Sequence, residues 1–260
     1  MYRRGMFPVR DDGPVRWLTI TNPERRNAIP MASWADLATV FDDFESSDAR
    51  VLVITGDGDD FCSGADLSGL AGSASTRSAY DAMGAVGGAA SALHRLTKPT
   101  IAAVDGYAVG AGMNLALGCD VVIASERALF AEIFVKRGLT LDFGGTWLLP
   151  RLVGLARAKE IALTGRLVTA PEALTYGMVT SVVPADALAA TAASTAAGLA
   201  SGAPLAQRFI KSGLDSSSGM TFDEALAFEQ GAQTVLFATE DVIEGMVSFL
   251  EKRPPEFKGK

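Results

Sequence analysis

Four short apolar segments, rich in β-branched residues, constrain the fold of this chain more than any other feature. They are VRWLTIT (15–21), RVLVITG (50–56), TIAAVDG (100–106) and CDVVIAS (119–125). Each is bounded by turn residues, which is typical of β-strands. An amphipathic helix is predicted over residues 31–45, between the first two. Short strands that alternate with helices predict a layered α/β core.

The last third of the chain has a different pattern. After a short strand candidate, TSVV (180–183), apolar residues recur at helical spacing, which predicts a helical bundle or arm. Thr169 with Glu172 and Thr221 with Glu224 have the T-x-x-E spacing of a capping box, so two helices are predicted to start there. Because no Pro-rich or charged linker interrupts the chain, we expect one main domain with a helical appendage.

Composition excludes several function classes. With 48% hydrophobic residues in 260, the chain can bury a sizeable core, and its net charge of −7 offers no broad cationic face for a nucleic acid. The longest uncharged run (187–207) is too weakly apolar to span a membrane. Two cysteines cannot form a disulfide framework, and the first residues match neither a signal peptide nor a lipid anchor, so we expect a cytoplasmic protein.

Common catalytic and cofactor motifs are weak or missing. GAGMNL (110–115) matches a dinucleotide fingerprint only in part, because leucine replaces its third glycine, so a nucleotide-dependent oxidoreductase is a remote alternative. DGDD (57–60) lacks the later carboxylate of a calcium loop and is predicted to be a solvated turn. His94, the sole histidine, has no second ligand nearby, so no metal site is predicted. Cys62 lacks an evident base and is predicted to be a small buried side chain.

Two stretches of very small residues do indicate chemistry. FCSGADL (61–67) and GYAVGAGMNLALGCD (106–120) place glycine and alanine at two backbone corners, the second directly before a helix. Side chains no larger than methyl allow a substrate carbonyl to approach main-chain N–H groups, and a helix start adds partial positive charge. The pattern is that of an oxyanion hole.

These stretches, with NPERRNAIP (22–30), GLTLDFGGTWLLPRLVG (138–154) and the tail SFLEKRPPEFKGK (248–260), resemble the enoyl-CoA hydratase/isomerase, or crotonase, family. The motifs follow the family order over nearly the whole chain. The resemblance implies a crotonase-like spiral of ββα units over residues 1–200, which would hold the acyl-CoA site. It also implies a C-terminal helical trimerisation arm over residues 201–260, in a homotrimer or a dimer of trimers.

By the same resemblance, the substrate is an acyl-CoA thioester whose enolate oxygen is held by the main-chain N–H groups of Ala65 and Ala111. Coenzyme A would enter as part of the substrate, so no separate cofactor is implied. The resemblance places further residues along the CoA path, with the last two reaching a neighbouring subunit: Arg25, Arg26, Ala28, Asp66, Leu67, Phe249 and Lys252. For the two arginines, plain surface charge remains the alternative, and for the alanines, close backbone packing.

The sequence departs from the hydratase branch of the family at both of its catalytic glutamates. Asn114 occupies the first position and Phe134 the second. Glu132 lies two residues before Phe134 and is expected to point elsewhere, because helical neighbours two apart face different sides. Asn114 is expected to be a polar pocket residue, and Phe134 to shape an apolar acyl pocket with Trp147.

Asp142 is the remaining acidic candidate. It is flanked by apolar residues, so burial is expected to raise its pKa into a useful acid–base range, although an N-cap role before GGTW is an alternative. Its context resembles the aspartate-using isomerase branch of the family. One carboxylate suffices to move a proton between two carbons, so we favour isomerisation of an enoyl-CoA double bond or ring. Hydration of a 2-enoyl-CoA and CoA binding without chemistry remain alternatives.

Overall fold

The structure is a computed structural model and describes residues 5–66 and 75–260. Within these ranges the chain forms eleven β-strands, most of them short. In chain order they are β1 (Val9–Asp12), β2 (Val15–Ile20), β3 (Ile29–Pro30), β4 (Val51–Gly56), β5 (Ala65–Asp66), β6 (Thr100–Val104), β7 (Tyr107–Val109), β8 (Val121–Ser125), β9 (Leu129–Ala131), β10 (Val168–Thr169) and β11 (Ser181–Val183).

Ten α-helices alternate with these strands and then continue alone to the C-terminal end of the chain. They are α1 (Trp34–Glu45), α2 (Thr76–His94), α3 (Ala111–Leu117), α4 (Gly145–Val153), α5 (Leu155–Thr164), α6 (Ala170–Tyr176), α7 (Leu188–Ala200), α8 (Pro204–Ser216), α9 (Phe222–Leu236) and α10 (Glu240–Glu251). The predicted helix over residues 31–45 corresponds to a 3₁₀ turn followed by α1.

A six-stranded sheet in the order β1-β2-β4-β6-β8-β11 forms the centre of the fold. Strands β2, β4, β6, β8 and β11 are parallel, and only β1 pairs in the antiparallel direction. The four residues from Val51 to Ile54 are completely buried. Continuous burial is expected of a parallel strand covered on both faces, and it explains why these runs are apolar without alternation.

Two small sheets hold the glycine-rich motifs beside the central sheet. Their orders are β10-β9-β7 and β3-β5. Strand β7 leads directly into α3, and Cys62 forms a parallel bridge to Ala108 next to it. The two motifs, 45 residues apart in sequence, therefore become neighbours in space.

The C-terminal helices divide into one that covers the central sheet and three that follow it. Ala192, Ala196 and Ala200 of α7 pack into an apolar cluster with sheet residues such as Val53 and Ile101. Helices α8, α9 and α10 come after this layer. Arg50 donates hydrogen bonds to the carbonyl oxygens of Ala200 and Phe257, which ties the tail to the core. Helix α7 ends at Ala200, and both the division into a core and an arm at this point and the assembly of the arm into trimers stay predictions.

Both predicted capping boxes are confirmed. The Glu172 carboxylate accepts from the N–H of Thr169 at 3.0 Å, and the Glu224 carboxylate accepts from the N–H of Thr221 at 2.7 Å. Across residues 5–66 and 75–260, no helix is both long enough and apolar enough to cross a membrane.

Candidate active site

The two small-residue corners meet because glycine leaves room for backbone to touch backbone. At Gly64, with φ +92°, a Cβ atom would lie 2.8 Å from the Val109 carbonyl oxygen and 3.3 Å from the Ala111 nitrogen. At Gly112, a Cβ atom would overlap the Cys62 carbonyl oxygen, which instead accepts from the N–H of Val109 at 2.9 Å. A larger side chain at Gly64 or Gly112 would separate the two motifs.

The corners present two main-chain N–H groups. Ala111 is the first residue of α3, so its N–H has no acceptor within the helix. Ala65 faces Ile29 in the parallel β3–β5 pair, and the N–H of Ile29 donates to the Gly64 carbonyl at 2.8 Å. In a parallel pair of strands, Ile29 forms its hydrogen bonds with the two neighbours of Ala65 and not with Ala65 itself. The N–H of Ala65 therefore points away from β3. Both alanines line the same cleft.

This cleft has a volume of about 730 Å³ and contains most of the residues singled out in the sequence. Those that line it are Arg25, Arg26, Ala28, Ala65, Asp66, Ala111, Phe134 and Asp142. Leu67 lies outside the described residues. The ring of Phe134 is buried and packs over Gly110, next to the Ala111 N–H, while Met31, Met83 and Leu139 add further apolar surface. The cleft therefore combines apolar walls with the half-buried Asp142 and two main-chain donors.

Asp142 is half-buried, and its Oδ1 atom, inaccessible to solvent, has no hydrogen-bond partner among the described residues. Burial raises the pKa of this carboxyl from 3.8 to about 6. The alternative role of helix N-cap is wrong, because Gly144 occupies that position before α4. Between them, Phe143 is buried with φ +47°, a conformation that side chains rarely adopt.

Glu132 does not line the cleft, in agreement with the expectation that it points elsewhere than Phe134, but it lies beside Asn114 behind the cleft wall. Glu132 and Asn114 are both completely buried, and the Asn114 Nδ2 atom lies 3.4 Å from the Glu132 Oε2 atom. Burial, and then the charge of Asp142, raise the pKa of Glu132 to about 8. Helical spacing did not apply because Glu132 precedes a short 3₁₀ turn at the end of β9. The sequence contained one sign of this burial, because Glu132 directly follows the apolar strand β9.

Asn114 connects this buried acid to the Asp142 turn. Its Nδ2 atom donates to the Asp142 carbonyl oxygen at 3.0 Å, and its amide lies directly against the backbone of Gly145. Asn114 itself does not line the cleft, so it supports the site rather than forming its wall.

We expect Gly145→Ala to disturb this support. The new Cβ atom would overlap the Asn114 Nδ2 atom and lie 2.7 Å from its Cγ and Oδ1 atoms. Forcing the amide aside should lower the free energy of unfolding by about 1–3 kcal/mol. Chemical denaturation measures the change. Gly87→Ala in α2, where the Cβ atom meets nothing within 4 Å, is the matched control and should stabilise the protein by up to about 1 kcal/mol. Equal effects of the two substitutions would contradict the described packing.

Besides Asn114, three further residues predicted for the site do not line the cleft of the single chain. Trp147 does not line the cleft with Phe134, because α4 turns its ring toward His94, 5.3 Å away at the end of α2. Phe249 is 82% exposed and lines a separate apolar cleft between the C-terminal helices. Lys252 is exposed at the end of α10. The contact of Phe249 and Lys252 with CoA on a neighbouring subunit stays a prediction.

Two further residues, His94 and Cys62, lie as the sequence predicted, while the role of the two arginines stays a prediction. His94 is exposed at the end of α2 as predicted, and Cys62 is completely buried, with its Sγ atom 3.2 Å from the Asn27 carbonyl oxygen. Arg25 forms an ion pair with Asp66 at 2.9 Å, and the Arg26 guanidinium lies over the Tyr107 ring at 4.5 Å. Both arginines are exposed at the cleft, where they can meet anionic groups of a substrate.

The chain is similar to known proteins over nearly its whole length. The family described as "Enoyl-CoA hydratase/isomerase" matches residues 11–260. The 1,2-epoxyphenylacetyl-CoA isomerase of Escherichia coli (strain K12) is 40% identical over 251 residues, 95% of each chain. The short-chain-enoyl-CoA hydratase of Clostridium acetobutylicum is 36% identical over 255 residues, 97% of each chain. The crystal structure of an enoyl-CoA hydratase from Bacillus anthracis matches with a TM-score of 0.94 at 32% identity, covering 98% of this chain and 100% of that one.

Proposed function

Because the chain belongs to the enoyl-CoA hydratase/isomerase family, whose crotonase fold it shares, we propose that it isomerises an enoyl-CoA thioester with Asp142 as the proton shuttle. One observation carries the proposal. A half-buried carboxyl, whose Oδ1 atom has no hydrogen-bond partner among the described residues, lines the same cleft as Ala65 and Ala111. That combination supplies a base and the stabilisation of the anion that the base creates.

The proposed reaction needs only this one carboxylate. Ionised Asp142 removes a proton from C2 of a 3-enoyl-CoA, and the electron pair moves onto the thioester oxygen to form a dienolate. The N–H groups of Ala65 and Ala111 hold this oxygen. The protonated Asp142 then delivers its proton to C4, the double bond forms between C2 and C3, and the thioester carbonyl is restored. The carboxylate ends as it began.

Hydration of a 2-enoyl-CoA is the leading alternative, and relatives of both kinds exist. Phe134, which occupies one glutamate position of the hydratases by resemblance, puts an apolar ring where a water would need a carboxylate. Asn114, at the other, is buried behind the cleft wall. Both features favour proton transfer within the substrate over addition of water.

A product assay separates the two reactions. Purified protein is offered a 3-enoyl-CoA, a 2-enoyl-CoA and an arylacetyl-CoA epoxide, the substrate class named for the E. coli relative, and the products are resolved by chromatography and mass. We expect products of unchanged mass from the 3-enoyl-CoA or the epoxide. A faster gain of one water by the 2-enoyl-CoA would refute isomerisation as the main activity.

The pH dependence of isomerisation should report Asp142. Because burial raises its pKa to about 6 and only the ionised form can accept a proton, kcat/KM should rise as the pH increases through about 6 and then level off. Initial rates between pH 4.5 and 7.5, with folding checked at each pH, measure this acidic limb. A rate that is flat across this range would contradict the assignment of Asp142 as the base.

A further inference from the structure

We propose that Glu132 is held as a neutral carboxylic acid and is a positioning residue, which fixes Asn114 and, through Asn114, the turn that carries Asp142. The inference rests on the proposed function, since it concerns the placement of the proposed base. It assigns a role to a completely buried acid that the proton transfer itself does not use.

The contacts form a short chain from Glu132 to Asp142. The Asn114 Nδ2 atom lies between the Glu132 Oε2 atom at 3.4 Å and the Asp142 carbonyl oxygen at 3.0 Å. The Asp142 carbonyl also accepts from the N–H of Gly145 at 2.9 Å. These two hydrogen bonds fix the direction of the Asp142 carbonyl group. Phe143, the next residue, has a positive φ, which the same turn maintains.

Burial requires Glu132 to be neutral. Among the described residues no lysine or arginine forms an ion pair with Glu132, and its Oε1 atom is buried without a hydrogen-bond partner. An isolated buried carboxylate is strongly unfavourable, and the nearby Asp142 would add repulsion between like charges. The raised pKa of Glu132, from burial and from the Asp142 charge, agrees with this assignment. A neutral acid can hold Asn114 while Asp142 alone carries the charge.

Glu132 acts through Asn114 because neither side chain reaches the substrate. Both are completely buried, and neither lines the cleft that contains Ala65, Ala111 and Asp142. The Asn114 amide packs against Gly145 on one side and contacts Glu132 on another. Removing Glu132 should leave the second side without a contact, so that the Asn114 amide shifts and the Asp142 carboxyl is misplaced.

Kinetics of isomerisation provide the test. Glu132→Gln keeps the shape and the neutral charge, so its kcat should stay within about threefold of the parent. Glu132→Ala should lower kcat by about 10-fold to 10²-fold with KM nearly unchanged, the scale expected when a catalytic group is misplaced by about 1 Å. In an Asn114→Ala background, the Glu132→Ala substitution should have almost no further effect on kcat.

Controls separate positioning from general damage and from failure of the proposed function. Glu45→Ala removes a carboxylate that accepts from Thr97, in α1 and away from the cleft, and should leave kcat unchanged. An inactive Asp142→Asn variant together with a fully active Glu132→Ala variant would overturn this inference alone. An active Asp142→Asn variant would overturn the proposed function, and the inference with it. Equal losses in Glu132→Gln and Glu132→Ala would also contradict the inference.

Infrared spectroscopy at pH 7 tests the charge state without turnover. The parent should show the carbonyl stretch of a buried, protonated carboxylic acid, and Glu132→Gln should lose that band. Because Glu132→Gln preserves shape and charge, this comparison can be made even if Glu132→Ala does not fold. A parent spectrum without the band would show that Glu132 is ionised and would overturn the proposal.

Discussion

Asp142→Asn should lower kcat for isomerisation by about 10²–10⁴-fold, the usual contribution of general acid–base catalysis. Asparagine has nearly the same shape as aspartate but cannot accept and return a proton. Substrate binding should change little, because the Ala65 and Ala111 N–H groups remain in the cleft. Steady-state rates with a 3-enoyl-CoA measure the loss. Asp36→Asn, at an exposed position in α1, is the control and should behave like the parent.

The stability of the same variant excludes unfolding as the cause. Because folding raises the pKa of Asp142 from 3.8 to about 6, the carboxyl favours the folded state below pH 3.8, and this contribution is lost as the pH rises through 6. At pH 7 the ionised form opposes folding. An uncharged asparagine should therefore leave the variant at least as stable as the parent at pH 7. An unchanged kcat in a stable variant would indicate a protein that binds CoA thioesters without using Asp142 in chemistry.

Ala111→Pro should lower kcat by about 10²–10³-fold, the cost of losing one oxyanion donor. Proline removes the N–H that we assign to the enolate oxygen. The first position of a helix tolerates proline well, because the missing N–H has no acceptor there, so α3 should still form. Rates with the same 3-enoyl-CoA, together with the circular dichroism spectrum and the melting temperature, separate lost catalysis from lost structure.

Leu155→Pro is the matched control for this substitution. Leu155 is likewise the first residue of a helix and follows a glycine with positive φ, but its side chain is exposed and lies outside the cleft. It should keep the kcat of the parent. If Ala111→Pro turned over as fast as Leu155→Pro, the Ala111 N–H would not be a donor to the enolate.

Most of the fold could be predicted because the central strands of its main sheet are largely buried. The runs that contain β2, β4, β6 and β8 had to be apolar and β-branched to fill a parallel sheet, so the sequence pattern was clear. The edge strand β1 was missed because its sequence, VRDD, is mostly charged. Strand β7 was missed because it has three residues, too few for a periodic signal.

The candidate site could be predicted only where two main-chain segments approach too closely for any side chain. Gly64 and Gly112 mark places where a side chain would collide with main-chain atoms, so glycine itself was the signal. Side-chain directions carried no such signal. The burial of Glu132 beside Asn114 was missed because the residues after β9 form a 3₁₀ turn, and Trp147 was misplaced because the packing of α4 decides which way its ring points. The trimeric arm depends on contacts between chains and stays a prediction.

In the proposed function, two main-chain amides and one carboxyl act on the same thioester. A crystal structure of the Asp142→Asn variant with bound 3-enoyl-CoA tests this arrangement, because the variant should bind the substrate without converting it. We expect a thioester oxygen about 2.7–3.1 Å from the nitrogen atoms of both Ala65 and Ala111, with the residue 142 amide beside C2 and C4. A thioester oxygen that contacts neither nitrogen, or a residue 142 side chain turned away from the acyl carbons, would contradict it.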